Sequence, residues 1–127
     1  MNSVVFDASA VLAIMHRETG HENARRYLEG AVISAVNYSE VLKKAVEGGG
    51  SLAATRFHLE NFALTVVPFD ERLAVRAAEL WSVGREHGWS FADRACLALG
   101  LERKAKVVTA DGSWQDAKLD VALVYIR

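Results

Sequence analysis

The chain has 127 residues, a formal net charge of −1, and 51% hydrophobic against 24% charged side chains. That is enough apolar material for one α/β domain with its own core, and too little positive charge for a generally basic nucleic-acid binder, although a local basic patch stays possible. The single cysteine, Cys96, excludes an intramolecular disulfide and suits a reducing compartment. No apolar run reaches membrane-spanning length, and no basic segment followed by a long apolar one opens the chain, so a cytoplasmic protein with no membrane contact is expected.

Residues 2–6 read as a strand apolar on both faces, as buried parallel strands are. Small residues over 8–15 predict a short helix, broken at Thr19-Gly20. A second helix follows over 21–28, closed by Gly30. Residues 31–33 form a brief strand, and Ser34 turns the chain into a helix over 36–47 that three successive glycines end. Ser51 caps a helix to about residue 62. Residues 64–67 are the next strand, stopped by Pro68.

Asp70 then caps a long helix ended by Gly88. Leu73, Ala77, Leu80, Trp81 and Gly84 fall at three- and four-residue steps on it, giving one apolar stripe. Ser90-Phe91-Ala92-Asp93 matches a capping box and opens a helix to about residue 104. Strands over 106–109 and 121–124 complete the pattern, with an Asp111-Gly112 turn between them. Short apolar strands alternating with helices predict a mostly parallel central sheet flanked by helices on both faces.

Four acids sit near strand ends or helix starts: Asp7, Glu40, Asp93 and Asp111. Each has an ordinary explanation when taken alone. Asp7 reads as a helix cap, Glu40 as a partner of Lys43 or Lys44 at helical spacing, Asp93 as the acidic member of the capping box, and Asp111 as turn chemistry. The set says more, because parallel topology brings all four to the edge of the sheet where functional groups gather. Clustered carboxylates raise one another's pKa values, and a cation relieves the repulsion.

An all-oxygen donor set favours Mg²⁺ or Mn²⁺; no twelve-residue calcium loop is present. Such an ion would polarise a phosphoryl oxygen and lower the pKa of a bound water, which suits phosphodiester hydrolysis; two ions would sit about 3.5–4 Å apart. Other chemistries fit worse. A haloacid-dehalogenase-type phosphotransferase wants a second aspartate two residues after the first, where Ser9 stands. There is no phosphate-binding G-x-x-x-x-G-K-[ST] loop, and the histidines lack H-E-x-x-H spacing. Cys96, on a helix of alanines and leucines, reads as a packed core thiol.

Four blocks in order, VVFDASAVLA, ISAVNYSEVLKK, SFADRACLALG and VVTADGSW, resemble the PIN-domain ribonucleases, most closely the VapC-type toxins of prokaryotic toxin–antitoxin pairs. The resemblance spans nearly the whole chain. It implies that Asp7, Glu40, Asp93 and Asp111 are the catalytic, metal-holding quartet of an endoribonuclease, with Asp116 as either a further acid or a solvated loop residue. It also implies an RNA substrate, a small cognate antitoxin and a homodimer.

Ser9 and Thr109 carry hydroxyls beside the acids, where orienting an acid and packing or capping are about equally expected. Asn37 and Ser39 support the site or cap the helix. Lys43 and Arg94 are the favoured RNA contacts, with Lys44 beside them, whereas Arg72, Arg76 and Arg85 read as a solvated face. Trp114 either stacks on a base or, as favoured, packs in the core or at its rim. An antitoxin would meet helices 8–15 and 51–62, with Phe57, Leu59 and Phe62 as contacts unless they face the core. Two other classes compete: a non-catalytic PIN-like module that binds RNA or protein, and a phosphatase or DNA nuclease with an all-oxygen site.

Overall fold

The structure, a computed structural model, describes residues 3–115 and 117–127. β1 (Val5–Phe6) leads into α1 (Ala8–His16) and α2 (His21–Arg25). β2 (Val32–Ser34) leads into α3 (Ala35–Glu47) and α4 (Leu52–Glu60), and β3 (Thr65–Val67) into α5 (Glu71–Glu79), α6 (Trp81–His87) and α7 (Phe91–Arg103). β4 (Val107–Thr109) is followed by a 3₁₀ turn (Gly112–Trp114) and β5 (Leu123–Tyr125). The five strands form one sheet of an α/β domain in the order β3-β2-β1-β4-β5, with every neighbouring pair parallel.

The strands are apolar on both faces because both faces are covered. Val5, Val32 and Val107 point into a core shared with Leu73 and Ala77 of α5 and with Cys96 to Leu99 of α7. Phe6, Ile33 and Val108, one residue further along, point the other way. They pack with Ala10 to Ile14 of α1, Val41 of α3, and Leu59 and Phe62 in and beyond α4. Each fully buried aliphatic or aromatic side chain of this kind contributes roughly 1.5–3 kcal/mol relative to exposure. α7 lies tight on the sheet: a Cβ at Gly100 would meet Val107 Cγ2 at 2.5 Å. No helix among the described residues is long and apolar enough to cross a membrane.

The expected caps are present. Ser51 Oγ accepts from Ala54 N at 3.2 Å, and Asp70 Oδ1 accepts from Leu73 N at 3.0 Å. Ser90 and Asp93 form the reciprocal box. The long helix predicted from Asp70 is two helices. Leu80 N bonds back three residues to Ala77 O, which tightens the turn and ends α5. That change of phase turns Trp81 outward, 54% exposed, while Leu73, Ala77, Leu80 and Gly84 stay on the buried side.

Smaller differences lie at element ends. α2 stops at Arg25 because the next amides bond back only three residues, Tyr27 N to Ala24 O and Leu28 N to Arg25 O. β5 begins at Leu123 rather than at residue 121, after Val107 N takes Ala122 O and sets the register.

Candidate active site

The chain leaves β1 at Asp7, whose backbone is extended (φ −78°, ψ 154°) at the cap position of α1. Its side chain makes no capping bond. Instead it is 4% exposed and accepts two hydroxyls on one oxygen: Ser9 Oγ donates to Oδ2 at 2.6 Å, and Thr109 Oγ1 donates to Oδ2 at 3.0 Å. Both hydroxyl oxygens also accept a backbone amide from the turn after β4. Ala110 N donates to Ser9 Oγ and Asp111 N to Thr109 Oγ1, each at 2.9 Å. The exit of β4 is therefore built around the carboxylate at the exit of β1. Burial pushes the Asp7 pKa up to about 6; the two hydroxyl bonds oppose this, and the charges of Asp93 and Glu40 add to it.

Glu40 lies in α3, half-buried. Among the described residues it forms no ion pair with Lys43, which pairs with Glu47 at 3.2 Å. Burial and the charge of Asp93 raise the Glu40 pKa, opposed by Lys44 and Lys43. Asn37, one turn earlier on α3, is fully buried and does not cap the helix. Its Nδ2 donates to Ala92 O at 3.0 Å, fastening α3 to the first turn of α7 beside Asp93.

Asp93 does both things considered for it. Its Oδ2 accepts from Ser90 N at 2.9 Å in the capping box, and it faces the same cleft as Asp7. Burial raises its pKa, the Ser90 amide lowers it, and Asp111 raises it. Asp111 also realises its turn role, with Oδ1 accepting from Ser113 N at 2.9 Å.

All four acids line one open cleft of about 420 Å³. Ser9, His16, Glu18, Lys44 and Arg127 line it as well. No sequence motif marks His16, although Ala8, Leu12 and His16 recur at four-residue steps on α1 and all three reach the cleft. Arg127 and Glu18 had no local signal. Arg127 arrives because β5 pairs parallel with β4 and carries the last residues of the chain to the same sheet edge.

Of the remaining expectations, some hold and others fall elsewhere. Arg94 is spent on structure: its Nη1 donates to Ala77 O at 2.9 Å and its guanidinium covers the Phe91 ring, so it braces α5 against α7. Lys44, not Lys43, is the lysine at the cleft. Arg72 and Arg76 pair with Glu102 at 2.7 and 3.1 Å. Trp114 is fully buried in the core, and Leu59 and Phe62 are buried too, whereas Phe57 is 70% exposed. Cys96 is a buried thiol, pushed up by burial and by Asp7, Asp93 and Glu40 nearby. Asp116 lies outside the described residues.

The donor set suits a hard divalent cation, since every candidate atom is a carboxylate oxygen. Among the described residues, the hydrogen bonds to Asp7 and Asp111 each fall on a single oxygen, Oδ2 of Asp7 and Oδ1 of Asp111, which leaves the other oxygen of each for an ion. Asp93 takes the Ser90 amide on Oδ2 and is held by the Ser90 hydroxyl as well. Among the described residues no three such side chains already stand close enough to grip one.

Residues 4–119 match the PIN domain family. The chain is a PIN domain. Solved structures agree with the assignment. The DNA-bound VapBC complex of Salmonella typhimurium contains a chain 18% identical, with a TM-score of 0.73 and 100% of both chains covered. FitAcB of Neisseria gonorrhoeae matches at 22% identity and TM-score 0.71 over 97% of each chain. VapC20 of Mycobacterium tuberculosis, described as a sarcin–ricin loop cleaving toxin, matches at 20% identity and TM-score 0.72, covering 94% of this chain and 99% of that one. At these identities the likeness is one of fold. No curated protein matches this PIN domain in sequence.

Proposed function

We propose that this PIN domain is a metal-dependent endoribonuclease and the toxin of a toxin–antitoxin pair. The observation that carries the reading is Asp7. A helix-capping aspartate would bond its own helix, whereas this one is buried, turned aside and aimed by two hydroxyls into a cleft with Glu40, Asp93 and Asp111. Keeping a carboxylate in so unfavourable a place costs stability, and such costs concentrate at functional sites.

In this reading the four acids hold Mg²⁺ or Mn²⁺ and are the catalytic residues. The ion would supply Lewis-acid polarisation of a phosphoryl oxygen and a water of lowered pKa. Ser9 and Thr109 fix the Asp7 carboxylate so that its remaining oxygen faces the cleft. The Asn37 bond keeps Glu40 and Asp93 in register, and Lys44 offsets part of the acidic charge. Water attacks the phosphorus as the P–O bond to one ribose oxygen breaks, leaving a phosphate on one fragment and a hydroxyl, protonated from solvent, on the other, so no side chain of the protein needs to become covalently attached. A small antitoxin as partner is supported by the solved relatives, several of which are toxin–antitoxin complexes. A homodimer in the cytoplasm is part of the same proposal.

The test is cleavage of total bacterial RNA by antitoxin-free protein with Mg²⁺, Mn²⁺ or EDTA, alongside Asp93→Asn. Discrete fragments that require metal and vanish in the variant support the reading; equal cleavage by the variant sinks it. One observation favours a second reading, a non-catalytic binding module: among the described residues no three of the acids stand together at ligand spacing. Calorimetry with Mg²⁺ and Mn²⁺ separates the two, because the module would bind neither ion.

A further inference from the structure

The cleft has a cationic lip that the acid quartet does not explain. Arg127 Nη1 donates to Glu18 Oε1 at 3.3 Å and to Thr19 O at 3.0 Å. Glu18 Oε2 in turn lies 3.8 Å from His16 Nδ1. Glu18 thus ties down Arg127 and stands beside the His16 ring, and all three line the cleft. The backbone beneath is fixed. Ile126 is buried, its N–H donates to Thr109 O at 3.0 Å, and its carbonyl accepts Asn23 Nδ2 at 3.2 Å.

The guanidinium is tied through one nitrogen only. Among the described residues, Nη2 and Nε make no hydrogen bond, and the side chain is 37% exposed. An arginine held from behind by a carboxylate and a carbonyl, with a donor edge left over, is built for an oxyanion in front of it. Lys44 faces the cleft from α3. A polyanion entering a pocket of acids needs cations on the path in.

We propose that Arg127 is a substrate-positioning residue that grips a backbone phosphate of the RNA strand flanking the scissile bond. Glu18 and Thr19 aim it, and Lys44 meets the strand from the α3 wall. The inference rests on the ribonuclease reading and goes beyond it, since it adds a binding subsite outside the quartet. The guanidinium takes no part in the chemistry.

The experiment is steady-state cleavage, in Mg²⁺, of the RNA that the wild type cuts, repeated over a series of KCl concentrations. Arg127→Gln should raise KM by roughly tenfold, the value of one charge-assisted contact, and leave kcat within about twofold. Its dependence of log(kcat/KM) on log salt should be shallower by roughly 0.7, the share of one phosphate on a single strand. Arg127→Lys should restore the salt dependence and only part of the affinity. Glu18→Gln should raise KM while keeping the salt dependence. Lys106→Gln, an exposed charge at the opposite end of β4, should change nothing.

An Arg127→Gln protein with wild-type KM and salt dependence overturns the inference and leaves the ribonuclease reading standing. A variant that loses melting temperature but not salt dependence also overturns it. A wild type that cuts no RNA with any metal overturns both.

Discussion

Thr109 and Asp7 stand 102 positions apart in the chain and meet through one hydrogen bond of 3.0 Å. The threonine hydroxyl spends its only proton on Asp7 Oδ2, and its oxygen accepts the amide of Asp111. Ser9 repeats the arrangement with Ala110. Two candidate ligands, from β1 and from the turn after β4, are thereby fixed relative to each other.

Thr109→Val should therefore lower RNA cleavage roughly 10- to 100-fold and raise the Mg²⁺ concentration needed, the usual cost of losing a group that orients a metal ligand. The Asp111 amide also loses its partner, which should cost about 1–3 kcal/mol of stability. Titrating cleavage rate against Mg²⁺ measures the first effect and urea unfolding the second. An unchanged Mg²⁺ requirement would reduce the hydroxyls to packing.

Asp7 makes stability depend on pH in the direction opposite to that of a salt-bridged acid. Its carboxyl is raised from 3.8 to about 6 in the folded protein. Between those values the folded chain keeps a proton that the unfolded chain releases, so stability falls as pH rises through roughly 4 to 6. Above that window the penalty is complete, about 3 kcal/mol at 1.36 kcal/mol per pKa unit. Asp7→Asn cannot ionise. In EDTA it should be more stable than the wild type at pH 8, by up to that amount, and equal to it near pH 4. Urea unfolding across the range checks this, and a wild-type advantage at pH 8 would contradict it.

Divalent metal should narrow that gap by stabilising the wild type. At ten times its dissociation constant, an ion that binds only the folded state adds about 1.4 kcal/mol. Mg²⁺ and Mn²⁺ should raise the wild-type melting temperature, and Asp7→Asn should lose most of the rise. Scanning calorimetry with and without EDTA reads it directly. Equal shifts in the two proteins would place the ion elsewhere.

Gly100→Ala tests how α7 is seated. Alanine favours helix by about 1 kcal/mol over glycine. The new methyl would meet Val107 Cγ2 at 2.5 Å and Val121 Cγ2 at 3.1 Å. Overpacking of this kind typically costs about 1–3 kcal/mol, so a net loss of stability is expected. A helix pushed off the sheet carries Asp93 with it, and cleavage should fall too. Chemical unfolding and an RNA assay on the same sample separate the two effects.

Local chemistry explains the part of the fold that is legible in the sequence. Ser51, Asp70 and Ser90 cap their helices through bonds three residues long, and such signals survive without tertiary context. The four acids stand out because parallel strands deliver their exits to one edge. The features that escape a sequence reading depend on distant partners. Trp81 follows a break at Leu80 that periodicity does not mark. Arg94 stands next to Asp93 but turns to a carbonyl on α5. Asn37 reads as a helix cap until Ala92, 55 positions away, comes within reach. Arg127 enters the cleft only once β5 has found β4.

The strand order also sets a timetable for synthesis. β1 is made first, yet one of its two sheet neighbours is β4, with Val5 opposite Val107. Until residues 107–111 have left the ribosome, Asp7 lacks Thr109, the amides that hold the two hydroxyls are out of reach, and Asp111 cannot join the cleft. A nascent chain holds no cleft of four acids, and the ribosome making it is spared the activity proposed here until nearly the whole domain has emerged.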